Sequence, residues 1–126
     1  MTMNSYDENY FVEVVKAVRA AIPDNVVLFS NIGDTDVAYF KRLKEAGLDG
    51  AYHVIRLGEG EFTSITSERR QKTIDAAVEA GLRIQDCLEP IGAEPTAEEL
   101  ADHLFKTIEK GCKNSDVMIT HKWRLG

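Results

Sequence analysis

Cysteine is nearly absent from this chain. Among 126 residues there are two, Cys87 and Cys112, far apart and outside any CxxC or CxxxCxxC spacing. That excludes a disulfide scaffold and a cysteine-based metal or redox motif. The two read as buried free thiols in a reducing compartment, because a free cysteine packs as a small apolar residue. Positive charge is also in short supply, with 15 basic against 21 acidic side chains and a formal net charge of −6. A dedicated nucleic-acid binder needs clustered Lys and Arg, and the most basic stretch, Arg69-Arg70-Gln71-Lys72, is too short to provide one. Long apolar runs are missing. The longest, Val26-Val27-Leu28-Phe29, has the length of a strand, whereas a membrane helix needs about 20 such residues. The amino terminus lacks a basic segment followed by an apolar one, so no signal peptide is visible and a cytoplasmic location is expected. Finally, the chain is too short for a complete eight-fold β/α barrel, which takes roughly 200 residues or more.

What is present is a repeat. Glu45-Ala46-Gly47-Leu48 recurs unchanged as Glu79-Ala80-Gly81-Leu82, and a degenerate copy, Glu109-Lys110-Gly111-Cys112, follows at a similar interval. Each closes an amphipathic stretch and precedes a short apolar or β-branched run. Glycine is the residue expected just past a helix end, where φ turns positive. The unit therefore reads helix, glycine stop, strand, loop, and its spacing is that of a βαβ element with parallel strands.

In that frame a first helix covers about Asp7 to Ala21, with Phe11, Val14, Val15 and Val18 along one face. Pro23 and Asp24 end it. The first strand is Val26 to Ser30, and Asp34 or Thr35 caps a second helix that reaches Ala46. The second strand runs from about Ala51 to Leu57. Thr66 or Ser67 caps a third helix to Ala80, with Ile74, Ala77 and Val78 inward. The third strand spans about Arg83 to Leu88. Thr96 with Glu99 forms a capping box for the fourth helix, and Val117 to Thr120 is a fourth strand. The strands are nearly continuous apolar runs, as in a parallel sheet covered by helices. The expected fold is α/β, a parallel sheet of about four β/α units in a single domain. It is either a small doubly wound domain or part of a (β/α) TIM-like barrel.

In both arrangements ligands bind at the carboxyl ends of the strands. That rule selects Ser30, Asn31 and Asp34 after the first strand. It selects Arg56, Gly58, Glu59 and Glu61 after the second, Asp86, Glu89 and Glu94 after the third, and His121 and Arg124 after the fourth. Several carboxylates with two guanidiniums suit a small zwitterionic or hydroxylated substrate. The same polarity is also what solvated loops require. His53 lies in a strand and reads as a packed residue, and His103 as a surface or semi-buried one. His121 has no second histidine at ligand spacing. Gly58-Glu59-Gly60 lacks the third glycine of a dinucleotide fingerprint, and no P-loop, nucleophile elbow or kinase signature occurs.

Three segments carry a family resemblance. They are Asn31-Ile32-Gly33-Asp34 with Arg42 through His53, Glu68-Arg69-Arg70-Gln71-Lys72-Thr73-Ile74 with Glu79 through Leu82, and Glu89-Pro90-Ile91-Gly92-Ala93-Glu94. In order and spacing they resemble the middle and carboxyl-terminal part of the barrel of biotin-synthase-like enzymes, in the radical S-adenosylmethionine superfamily. The resemblance implies a partial β/α barrel with S-adenosylmethionine and a [4Fe–4S] cluster at the strand ends. There, cleavage of the sulfonium yields a 5′-deoxyadenosyl radical that takes hydrogen from the substrate. It implies cofactor-binding residues Asn31, Asp34, Arg56, Glu59, Arg70 and Glu89. Among these, Arg70 matches the arginine that holds the cofactor's carboxylate. Val54 departs from the polar ribose contact usual at its position, and Arg56 and Glu59 are the replacements. The third segment approximates the family's Gly-x-Ile-x-Gly-x-x-Glu pattern.

The CxxxCxxC that holds the cluster in the family is missing, so the cluster's ligands must come from outside this chain. The implied partners are a complementary cluster-binding polypeptide or a second copy joined through open sheet edges. A chain of this kind is a fragment, a split gene product or a decayed relative, inactive without the cluster-binding part. The rival readings are a non-catalytic β/α binding or interaction module and a fragment of another barrel enzyme, such as an aldolase. The aldolase reading lacks a strand-end lysine in a convincing place. A receiver-like domain lacks its acidic pair, because Val26 to Asn31 contains none.

Overall fold

The computed structural model describes residues 7–85, 87–88, 95–111 and 120–121. Among these residues it is an α/β structure with four helices and a small open sheet of three parallel strands. Helix α1, Glu8–Ala21, starts at Asp7, whose carboxylate accepts hydrogen bonds from the backbone N–H groups of Asn9 and Tyr10 at 2.9 and 3.1 Å. These satisfy two of the donors that every helix start leaves open. Pro23 disfavours helical geometry at Ile22, which is extended at ψ 152°. Strand β1, Phe29–Asn31, leads through a short loop to α2, Val37–Glu45, then β2, Gly50–Tyr52, α3, Ser67–Glu79, and β3, Arg83–Gln85.

The repeated Glu-Ala-Gly-Leu has a specific structural meaning. Gly47 and Gly81 have φ of 106° and 80°. The Gly47 N–H donates to the Lys44 carbonyl at 3.0 Å and the Leu48 N–H to that of Leu43 at 3.0 Å. Gly81 to Val78 and Leu82 to Ala77 repeat the pair at 2.9 and 3.0 Å. This is the Schellman helix stop, in which the residue after the glycine turns its side chain back onto the helix. Leu48 and Leu82 are accordingly buried. Each copy thus ends a helix and drives a leucine into the core just before the next strand.

The strands lie in chain order, β1-β2-β3, with Ser30 beside Ala51 and Ala51 beside Ile84. Parallel crossovers are right-handed almost without exception, so two crossovers running in one direction put α2 and α3 on the same face of the sheet. Contacts of α1 with α2 and of α2 with α3 agree with that layering. Between sheet and helices lies a core of Ile32, Phe40, Leu43, Leu48, Ala51, Ile74, Ala77 and Ile84, joined by Val12 and Val15. On α1 the buried stripe is Val12 and Val15 with Phe11 packed beside it, while Val18 is exposed. On α3, Ile74 and Ala77 are buried and Val78 packs against the core, as the spacing predicts.

Beyond β3, strand β4, Cys87–Leu88, pairs in parallel with β5, Thr120–His121, and α4, Ala97–Gly111, connects them. The Thr96–Glu99 capping box is formed: Glu99 N–H donates to Thr96 Oγ1 at 3.2 Å, and Thr96 N–H to Glu99 Oε2 at 2.7 Å. Helix α4 is tied to the segment after β2 by a 2.9 Å hydrogen bond between His103 Nε2 and the Ile55 carbonyl.

At the amino ends of the strands Arg19 forms a clamp. Its Nε donates to the Gly47 carbonyl at 2.9 Å, Nη1 to that of Val26 at 2.9 Å, and Nη2 to Asp49 Oδ2 at 2.5 Å. Asp49 Oδ2 also accepts from the Leu28 N–H at 2.7 Å. One guanidinium thus joins α1, the start of β1 and the start of β2.

The expected strands are longer than those observed. Val26 and Val27 are exposed and precede β1, and the second strand ends at Tyr52 rather than Leu57. Asp36, not Asp34 or Thr35, caps α2, accepting from the Tyr39 N–H at 3.0 Å. Asp34 is drawn into a different set of contacts. Among the described residues no helix is long and apolar enough to cross a membrane.

Candidate functional site at the carboxyl ends of the strands

Four of the six residues selected from the sequence, Asp34, Arg56, Glu59 and Arg70, meet in one charge network. Asp34 stands in the β1–α2 loop, Arg56 and Glu59 in the segment that follows β2, and Arg70 in the first turns of α3. All three locations lie at the carboxyl end of the sheet.

Glu59 is the hub. Its side chain is fully enclosed. Arg56 Nε donates to Oε2 and Arg56 Nη2 to Oε1, each at 3.1 Å, a two-pronged pairing of guanidinium and carboxylate. Thr63 Oγ1 lies 2.7 Å from Oε1, and the Ser67 hydroxyl donates to the Glu59 backbone carbonyl at 3.1 Å. The loop bearing Glu59 turns at Gly58 and Gly60, with φ of 92° and 86°. There the Glu59 N–H donates to the Arg56 carbonyl at 3.0 Å. Burial alone pushes the Glu59 carboxyl up, but the hydrogen bonds from Arg56 and Thr63 outweigh it and hold the group below the usual range. With both oxygens occupied, Glu59 positions the arginines.

Arg70 is mostly buried and stands within ion-pair distance of two carboxylates without hydrogen-bonding to either through these atoms. Its Nε lies 3.7 Å from Glu59 Oε2 and its Nη1 3.6 Å from Asp34 Oδ1, both beyond hydrogen-bond reach. Arg70 Nε is buried with no hydrogen-bond partner among the described residues. An enclosed, unspent donor is costly, and an anionic acceptor brought to it restores the loss. Arg69, its exposed neighbour, places Nε 3.4 Å from Asp34 Oδ2.

Two members of this network were not selected from the sequence. Thr73, one turn along α3 from Arg69 and Arg70, has its hydroxyl 3.1 Å from Asp34 Oδ1. His53 is 3% exposed, with Nδ1 3.2 Å from the Ile32 carbonyl and Nε2 3.2 Å from Asp34 Oδ1. It is the packed residue the sequence suggested and also a neighbour of the site's carboxylate. Its signal was its place just past the β2 carboxyl end. Burial lowers its pKa, the Ile32 hydrogen bond raises it, Arg70 lowers it and Asp34 raises it, and the net is a ring held below the ordinary imidazole range.

Asn31 is exposed at the end of β1, outside this network. Glu89, with Asp86, Glu94, Arg124 and Cys112, lies outside the described residues. Among the described residues no three His, Cys, Asp or Glu side chains are grouped so as to hold a metal ion. No protein-family model matches the chain, and no curated protein matches it.

Proposed function

We propose that this chain contributes S-adenosylmethionine contacts to a biotin-synthase-like radical enzyme, as consecutive β/α units of a partial barrel. The observation that carries the reading is Arg70: a mostly buried guanidinium at the strand carboxyl ends whose Nε has no hydrogen-bond partner among the described residues. The cofactor's carboxylate is the acceptor it would take. Chain-order strands with helices on one face suit a barrel segment, whereas a doubly wound sheet reverses its order at the ligand crevice.

In this reading Arg70 binds the carboxylate, and Glu59 and Asp34 hold Arg70 in place. Arg56, partly exposed and fixed by Glu59, lies on the same rim, and Asn31 offers an amide at the end of β1. S-adenosylmethionine bound there would supply hydrogen-abstracting radical chemistry. The residues of this chain do not fit the family's [4Fe–4S] cluster itself. Two isolated cysteines cannot supply the three thiolates of a CxxxCxxC motif, so its ligands come from a complementary polypeptide or segment.

Calorimetric titration of the purified chain with S-adenosylmethionine tests this. Arg70→Ala is expected to weaken binding by about 1.5–3 kcal/mol, the scale of a hydrogen bond to a charged group. Wild-type chain that binds nothing at millimolar cofactor, or an Arg70→Ala variant with unchanged affinity, would remove the proposal. Exposed Val26 and Val27, leading into a β1 that pairs with β2 alone among the described residues, favour a second reading. In it the chain is a β/α module that associates through its sheet edge.

A further inference from the structure

His53 cannot satisfy both of its contacts while neutral. The Ile32 carbonyl, 3.2 Å from Nδ1, only accepts, so Nδ1 must carry the proton. Nε2 is then left with a lone pair facing a second acceptor, Asp34 Oδ1, at 3.2 Å. No hydrogen bond closes there, and Nε2 is buried without one among the described residues. The other tautomer moves the same conflict to Ile32. Only the doubly protonated ring donates to both.

The charged groups around the ring pull in opposite directions. Asp34, from the β1–α2 loop, draws a second proton, while Arg70, from α3, and burial resist it. Arg69 stands behind Asp34, and Glu59 behind Arg70. On the β3 side the contact is neutral, the His53 N–H donating to the Gln85 carbonyl at 3.1 Å. Thr73 has two acceptors for its one hydroxyl proton, Asp34 Oδ1 at 3.1 Å and the Arg69 carbonyl at 3.3 Å. It can release Asp34 without being left unpaired.

We propose that His53, Asp34 and Thr73 form a proton-operated latch between the β1–α2 loop and α3. With the ring neutral, Asp34 is held by α3 through Thr73 and the flanking arginines. When the Nε2 lone pair takes a proton from solvent acid, Asp34 closes a charge-assisted hydrogen bond to His53 and Thr73 turns to the Arg69 carbonyl. The first turns of α3 then lose the Thr73 hydrogen bond to the loop and are held to it by the Arg69 and Arg70 pairings with Asp34 alone. The latch goes beyond the cofactor reading and does not need it, since every participant is a residue of this chain.

Nitrogen-15 NMR of the full chain across acidic to neutral pH reads the latch directly. Above neutrality His53 is expected with Nδ1 protonated and Nε2 bare. On acidification Nε2 gains its proton with a midpoint below the ordinary imidazole value of 6.5, and the Thr73 and Arg70 signals follow the same midpoint. Asp34→Asn supplies an amide donor to the bare Nε2, and should lower the ring's proton affinity by about tenfold, one pKa unit. Thr73→Val, a milder change, removes the competing hydroxyl and should raise that affinity. A neutral ring protonated at Nε2, Thr73 and Arg70 signals that ignore the His53 midpoint, or a midpoint unmoved in both variants would each overturn the latch.

Discussion

Replacing Glu59 by glutamine tests the hub of the site. The carboxylate is fully enclosed and receives two hydrogen bonds from Arg56 at 3.1 Å, with Thr63 Oγ1 at 2.7 Å. An amide retains one acceptor but sets an NH₂ against a guanidinium N–H, and leaves Arg56 and Arg70 without their shared counter-charge. Breaking a buried ion pair by removing one partner costs about 3–5 kcal/mol. Arg56 is 29% exposed and can recover part of its hydration, so the lower side of that range applies: roughly 2–3 kcal/mol. Urea denaturation reads this as a fall in the midpoint with an unchanged slope. At slopes of about 1–3 kcal/mol per molar the fall is on the order of 1–2 M. The Glu59–Arg56 coupling in a double-mutant cycle with Arg56→Met should then lie at about 1–3 kcal/mol. A Glu59→Gln variant within about 0.5 kcal/mol of wild type, with no coupling to Arg56, would reduce the hub to an ordinary surface ion pair and refute the reasoning.

Arg19→Ala removes three hydrogen bonds and uncovers the Asp49 carboxylate at the opposite end of the sheet. A loss of about 2–3 kcal/mol by thermal or urea unfolding is expected, with little change in cofactor affinity. Stability should fall on the acid side. Both His53 and Glu59 titrate lower in the folded than in the unfolded chain. Below about pH 6.5 the unfolded chain therefore binds a proton at His53 that the folded one refuses, and below about 4.5 the same holds at Glu59. These two contributions are complete near neutrality and lost stepwise on acidification. Urea midpoints at pH 7.5, 5.5 and 3.5 check this, and His53→Gln should remove the first step alone.

Local rules carried far in this chain because most helix boundaries are set by near neighbours in sequence. The repeated Glu-Ala-Gly-Leu announced two helix stops, and the structure shows why: glycine takes the positive φ and leucine is buried beside the helix it ends. Thr66 and Thr96 stood out as helix starts for the same reason, each bonding within its own turn. Asp34 misled as a cap because its partners are distant. It bonds across the sheet end to Thr73, thirty-nine positions away, and Asp36 does the capping. The strand-end rule gathered Asp34, Arg56 and Glu59, and the family resemblance added Arg70. Thr73 was invisible, and the role of His53 was signalled only by its place near the end of β2, since a threonine within a helix and a histidine in an apolar run read as packing. Their meaning depends on α3 being laid beside the end of β2.

Central to this account is that Arg70 keeps an unspent donor for a ligand carboxylate. Its Nε–H resonance, followed while S-adenosylmethionine is added to the purified chain, is the most direct probe. A saturable shift of that signal, accompanied by changes at Asp34 and Glu59 and lost in Arg70→Ala, is expected. An Nε–H signal that stays still while the cofactor binds elsewhere, or throughout a titration to millimolar cofactor, would contradict it.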